Sequence, residues 1–90
     1  MNTDKEIEKL RRKIDDFDDR ILDILVQRFS AVKEIGQIKS ISTIDISHPD
    51  REKEIVEGLA DKLKGKLHRK EIMKILKPIF EISKKFQVEE

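Results

Sequence analysis

The chain has ninety residues, 43% of them charged and 37% hydrophobic, which predicts one small domain over residues 1–90. It has no cysteine, which excludes disulfides and Cys-based metal or thiol sites. Twenty Lys and Arg against 19 Asp and Glu leave a net charge of +1, which favours neither nucleic acid nor a membrane surface as a partner. Since no apolar run approaches the ~18 residues of a membrane span and the N-terminus does not resemble a signal peptide, we expect a cytoplasmic protein.

The first predicted element is one long helix. Thr3 and Glu6 have the spacing of a capping box, and no residue breaks the helical pattern before Ser40. Apolar residues recur at steps of three and four, and we call this set the long stripe: Ile7, Leu10, Ile14, Phe17, Ile21, Ile24, Ala31, Ile35 and Ile38. A helix over residues 4–39 would be ~54 Å long, although a compact chain of this size has a radius of gyration of only ~12 Å. The long stripe therefore predicts a partner, most simply a second copy of the chain.

Two shorter helices follow a predicted loop at residues 40–47. Ser47, followed by Pro49 and Asp50, indicates the start of the second helix, and Gly65 is expected to end it. The third helix is expected to begin near His68 and to be kinked at Pro78. Their apolar faces are Ile55, Val56, Leu59, Ala60 and Leu63 on the second, and Ile72, Ile75, Leu76, Ile79, Phe80 and Phe86 on the third. The sequence thus predicts an all-α protein of three helices.

Several polar residues fall on or beside these apolar faces. They are Arg11, Arg28 and Lys39 on the first helix, His48 and Glu52 on the second, and Ser83 and Gln87 on the third. Arg28 and Lys39 are eleven residues, or ~16 Å, apart on a helix, so their side chains can converge on one small anion. Buried charges have to be paired or bound to a ligand, and the sequence shows no evident partner for Arg28.

Two interpretations of these polar residues are open. A polar layer in a helical seam would fix the register of two packed helices. Alternatively, the residues line a pocket for a small ligand that carries about two negative charges and a hydroxyl for Glu52. Their number over three helices favours the pocket. No nucleophile–base pair is evident, so we expect binding and electrostatic stabilisation rather than covalent catalysis.

The ordered set of these segments resembles the all-helical chorismate mutases. The resemblance covers roughly residues 5–88 and is carried by LRRKID at 10–15, FD at 17–18, QR at 27–28, GQIK at 36–39, PDRE at 49–52, IS at 82–83, and Gln87. It implies an intertwined homodimer of three-helix protomers, in which the long first helix is shared between two active sites. It also implies conversion of chorismate to prephenate in Phe and Tyr biosynthesis by a Claisen rearrangement within one molecule, with no metal or organic cofactor.

The resemblance further implies a role for each matching residue. Arg28 and the partner subunit's Arg11 would clamp the two carboxylates of the substrate, Lys39 and Gln87 would donate to its ether oxygen, and Glu52 would accept from its ring hydroxyl. Ser83 would contact a carboxylate, and Arg51 would support the site from its rim. His48 stands where many members of the family carry Asp, so it serves either as a substrate contact through its backbone N–H or only as a helix cap.

Two alternative functions remain open at this point. One is isochorismate pyruvate lyase of the same fold. Glu52 argues against it, because the resemblance implies that the lyases tend to have an apolar residue at this position. The other is a non-catalytic helical dimerisation module, which would keep the apolar faces but would have no use for Lys39, Glu52 and Gln87 together.

Overall fold

The computed structural model describes residues 2–42 and 49–87, with the backbone alone at residues 39–42 and 49. It contains three helices, α1 (Thr3–Ser42), α2 (Pro49–Lys62) and α3 (Arg69–Gln87), and no strand within the described residues. The predicted all-α class and the three helices are confirmed. The expectation that the loop starts at Ser40 is wrong, because α1 continues to Ser42. The remainder of that predicted loop, which includes Ser47, lies outside the described residues, as does His48.

Of the residues described, those that cap the helices and form their turns are the ones the sequence predicts, except at the start of α1. Asn2 rather than Thr3 caps α1, because its Oδ1 accepts a hydrogen bond from the Lys5 N–H at 3.4 Å and Thr3 is already helical. Gly65 adopts a φ of 82° in the turn after α2, a conformation that favours glycine. The His68 N–H donates to the Glu71 carboxylate at 3.1 Å, which closes the start of α3. Helix α3 continues through Pro78, and the kink expected there stays a prediction.

The molecule is elongated because α1 extends far beyond the other helices. Its radius of gyration is 17.4 Å and its longest dimension is 63 Å, against ~12 Å for the radius of a compact chain of this length. Helix α3 packs against both α1 and α2, whereas α1 and α2 do not contact each other in the described part of the chain. The first part of α1, residues 3–24, which we call the overhang, is exposed at every position.

Helix α1 contacts α3 through a face that lies beside the long stripe. Leu25, Phe29 and Val32 are partly covered there, and Gly36 is buried. The large residues of the long stripe remain exposed, from 43% at Ile7 to 64% at Ile38. The second half of α1 therefore presents one apolar face to its own α3, while the long stripe has little cover within the described residues of the chain.

The core of the single chain is small. Among the residues whose side chains are described, the buried ones are Val56 on α2, Ile72, Phe80 and Ser83 on α3, and Gly36 on α1. A core of this size gives little stability, since hydrophobic stabilisation scales with the apolar surface removed from water. Of the helices described, none is long and apolar enough to cross a membrane.

Candidate functional site

A hydrogen-bonded pair joins α1 to α3 at the centre of the candidate site. Arg28 Nη1 donates to Ser83 Oγ at 2.6 Å, and the Ser83 hydroxyl donates to the Ile79 carbonyl oxygen, also at 2.6 Å. A serine hydroxyl has a single hydrogen, so Ser83 accepts from Arg28 while its own hydrogen is engaged one turn earlier on α3. Ser83 is 8% exposed. It is therefore a fixed anchor for the guanidinium.

Phe80 supports the same guanidinium from its ring face. The Arg28 Cζ lies 5.7 Å from the centroid of the Phe80 ring, within the range of a cation–π contact. The expectation that Arg28 has no partner in the empty protein is therefore wrong. Within the described residues Arg28 makes no second hydrogen bond, so most of its N–H groups remain available to an anion.

Glu52 on α2 lines the neighbouring groove and is paired across the interface with α3. Its Oε2 lies 3.4 Å from Lys84 Nζ, and the Glu52 and Lys84 side chains are 35% and 57% exposed. A pair with this exposure contributes about 0–1 kcal/mol to stability. The ion pair orients the carboxylate toward α3.

Gln87 is placed by an unusually close approach of α3 to α1. A Cβ on Gly36 would lie 2.5 Å from the backbone oxygen of Gln87 and 3.0 Å from its Cα. Immediately before Gln87 in the chain, Phe86 stacks on Phe29 of α1 with 5.2 Å between ring centroids. Because Ser83 and Gln87 are four residues apart on α3, the anchor of Arg28 and the carboxamide lie on one face, about 6 Å apart along the axis.

The remaining predicted site residues are placed less completely. Lys39 lies in α1, three residues after Gly36, with only its backbone described, and His48 is outside the described residues. Arg51 is exposed beside Glu52 on α2. Arg11 is exposed in the overhang, seventeen residues before Arg28, which corresponds to ~26 Å along the helix. The single chain thus joins Arg28 directly to Ser83 and, through Phe80, to the groove that Glu52 lines, whereas Arg11 lies far along α1.

A groove of about 550 Å³ adjoins this cluster between α2 and α3. Its apolar lining includes Val56, Met73 and Phe80, and lysines such as Lys70, Lys74 and Lys77 form its rim. Phe80 and Glu52 belong to both the groove and the cluster. The described residues contain no group of three or more His, Asp or Glu side chains arranged to hold a metal ion.

Three residues of the site are not predicted by the sequence. The sequence pattern predicts an ordinary core residue at Phe80, a solvent-exposed lysine at Lys84 and a tolerated helix glycine at Gly36. Each acts through a neighbour on another helix, so only their contacts reveal them. Of the three, only Gly36 could have been suspected from the sequence. A glycine in the interior of a long helix destabilises it by ~1 kcal/mol relative to alanine, which suggests that close packing requires the glycine.

The sequence model of the family described as chorismate mutase type II matches residues 10–88 of this chain. A bifunctional chorismate mutase/prephenate dehydratase of Aquifex aeolicus is 43% identical over 55 residues, which are 61% of this chain and 15% of that protein. A chorismate mutase of Methanocaldococcus jannaschii is 34% identical over 55 residues, which are 61% of this chain and 56% of that protein. The chain therefore matches only part of the length of either relative. No solved structure gives a significant match.

Proposed function

Because this chain belongs to the chorismate mutase type II family, we propose that it converts chorismate to prephenate. In this proposal the catalytic domain spans residues 1–90. The reaction is an intramolecular rearrangement that serves the biosynthesis of Phe and Tyr. A cytoplasmic location, which the sequence predicts, is part of the same proposal.

The observation that carries the proposal is the Arg28–Ser83 pair, which Phe80 connects to the groove that Glu52 lines. A guanidinium held on one side by a hydroxyl and on another by an aromatic ring is presented in one orientation, which suits the recognition of a carboxylate. Glu52, partly exposed on α2, offers an acceptor for a hydroxyl group. Chorismate carries two carboxylates and a ring hydroxyl, so a cation on α1 and an acceptor on α2 match two of its groups.

The proposed mechanism requires no covalent bond to the protein. Arg28 holds one carboxylate and thereby selects the compact conformer in which the enolpyruvyl group lies over the ring. Gln87 and Lys39 donate hydrogen bonds to the ether oxygen, on which negative charge grows as the C–O bond breaks. Glu52 accepts from the ring hydroxyl, and Arg51 and His48 border the site.

The role proposed for Ser83 differs from the one that the resemblance implies. Its hydrogen is engaged by the Ile79 carbonyl, so it cannot donate to a substrate carboxylate without losing that bond. We assign Ser83 to fixing Arg28, and any direct contact of Ser83 with the substrate would follow a rotation of the hydroxyl.

We also propose that the active enzyme is a homodimer with shared sites. The overhang exposes five residues of the long stripe between Ile7 and Ile21, a continuous apolar surface of the kind that marks an interface. The groove beside Phe80 has an apolar floor that can receive such a helix. Arg11 lies ~26 Å along α1 from Arg28, too far to reach the site of its own chain. A partner's α1 in the groove would supply the second arginine.

A direct assay separates the proposed function from its alternatives. Purified protein is added to chorismate, and the loss of chorismate absorbance is followed together with the formation of prephenate. Turnover of chorismate to prephenate supports the proposal. Release of pyruvate from isochorismate, supplied separately, identifies a lyase instead, and absence of both activities in a folded dimer indicates a dimerisation module.

A further inference from the structure

Gly36 of α1 and Gln87 of α3 lie in close backbone contact. Gln87 is the last residue of α3, and its backbone carbonyl and Cα lie against Gly36. A Cβ on residue 36 would lie 2.5 Å from that carbonyl oxygen and 3.1 Å from the carbonyl carbon. These atoms are backbone, so no side-chain rotation relieves the clash, and the end of α3 has to move away from α1.

The position of Gly36 in α1 makes this displacement matter for the site. Gly36 is buried, and it is two turns from Phe29, which stacks on Phe86. The last turn of α3 is therefore held to α1 by one aromatic stack and one backbone contact. Lys39, the second proposed donor to the ether oxygen, follows Gly36 by three residues on the same helix. The contact between the helices thus lies within one turn of Lys39 in α1.

We propose that Gly36 is a positioning residue, which holds the Gln87 carboxamide at hydrogen-bond distance from the ether oxygen. The inference rests on the proposed function, because it assigns Gly36 to the reaction through Gln87. Gly36 itself has no side chain and touches no substrate. Its contribution is the close approach of two backbones, which a residue with a Cβ cannot reproduce.

The test is a double-mutant cycle between Gly36→Ala and Gln87→Ala. Gly36→Ala should lower kcat at least about tenfold and change KM by less than about threefold, because only a transition-state contact is displaced. In the Gln87→Ala background the same glycine substitution should lower kcat by less than about twofold. A wild-type kcat for Gly36→Ala, or the same fold-loss in both backgrounds, would overturn the proposal.

Gly58→Ala is the matched control, because Gly58 is also an interior helix glycine but a Cβ there meets nothing within 4 Å. It should leave kcat and KM unchanged and raise the midpoint of thermal unfolding by about 4–8 °C. If Gly36→Ala alone unfolds at the assay temperature, the cycle is run in this stabilised background.

A measurement without substrate separates this inference from the proposed function. Amide hydrogen exchange is compared between the Gly36→Ala variant and the wild type, both without ligand. Exchange should rise about tenfold or more in residues 84–87 and stay unchanged in α2. Unchanged exchange at residues 84–87 would overturn the positioning role. Failure of the wild type to turn over chorismate would remove only the proposed function.

Discussion

Arg28 on α1 and Ser83 on α3 are joined by a 2.6 Å hydrogen bond, and Ser83 is in turn fixed to the Ile79 carbonyl oxygen. The guanidinium is therefore oriented before any substrate arrives, with Phe80 behind it. Orientation of this kind lowers the cost of binding, because the side chain has less rotational freedom to lose. The pair also ties the long helix to the last helix at the level of the candidate site.

Arg28→Ala should abolish most activity and cost a modest amount of stability. It removes a charge-assisted hydrogen bond and a ring contact but leaves Ser83 bonded to Ile79, so we expect the free energy of unfolding to fall by about 1–2 kcal/mol. kcat/KM should fall at least about 100-fold, through loss of a carboxylate contact. Chemical denaturation and steady-state kinetics measure the two effects.

The matched control for this variant is Arg20→Ala. Arg20 is also on α1 and pairs with Asp16 at 2.8 Å, but both side chains are more than half exposed. Its loss should cost about 0.5 kcal/mol or less and leave kcat/KM within about twofold of the wild type. If Arg28→Ala behaves like this control, Arg28 does not bind the substrate.

Glu52→Gln and Lys84→Ala should separate a substrate contact from an ion pair. Both variants break the pair between Glu52 and Lys84, and each should lower the free energy of unfolding by less than about 1 kcal/mol. Only Glu52→Gln removes the charged acceptor proposed for the ring hydroxyl, so it should lower kcat/KM about tenfold or more, with Lys84→Ala close to the wild type. Equal losses in the two variants would mean that the ion pair, not the carboxylate, supports the site.

Gln87→Glu should make activity depend on pH. A carboxamide donates its N–H at any pH, whereas a carboxyl group donates only while it is protonated. Activity of the variant should therefore be present at low pH and fall as the pH rises through the pKa of the introduced carboxyl group, since the ionised form cannot donate and repels charge on the ether oxygen. Profiles of kcat against pH for the variant and the wild type measure this. A variant profile as flat as that of the wild type would remove Gln87 from the mechanism.

Phe17→Lys should test whether the overhang is an interface. In the single chain Phe17 is 51% exposed, so a monomer would lose little stability on this substitution. In the proposed dimer the charge would be buried, and we expect dissociation on dilution, loss of activity and a loss of several kcal/mol in stability. Sedimentation and thermal unfolding report these changes. The control is Asp19→Lys, which lies on the opposite side of the same helix and should remain dimeric. A fully active Phe17→Lys monomer would exclude the shared-site dimer.

The sequence predicts the helices well because their periodicity and caps are local properties. The long continuous run of α1 and the role of Gly65 follow from such signals, although α1 continues to Ser42 and Asn2 replaces Thr3 as its cap. Of the predicted site residues, Arg28 and Ser83 are in direct contact, and the substrate roles of the whole set stay predictions. Their direct pairing is not predicted, because the contact depends on how α1 crosses α3.

The face of α1 that contacts α3 could not be predicted from periodicity. The long stripe is the stronger apolar pattern, yet Arg28, Phe29 and Gly36 make the contacts with the chain's own α3. Helix α1 carries two overlapping apolar faces, and a sequence pattern does not say which of them packs on the chain's own α3. The Gly36–Gln87 contact escapes prediction for the same reason, since it involves backbone atoms on α3.

Subunit mixing tests most directly the claim that this chain is a chorismate mutase with sites shared between two copies. Arg11→Ala and Lys39→Ala are each expected to be nearly inactive alone on chorismate. After co-refolding at equal amounts about half the dimers are mixed, and one of the two sites in each mixed dimer keeps both residues, so about a quarter of wild-type activity should return. No recovery in dimers verified as mixed, or full activity of Arg11→Ala alone, would contradict the account.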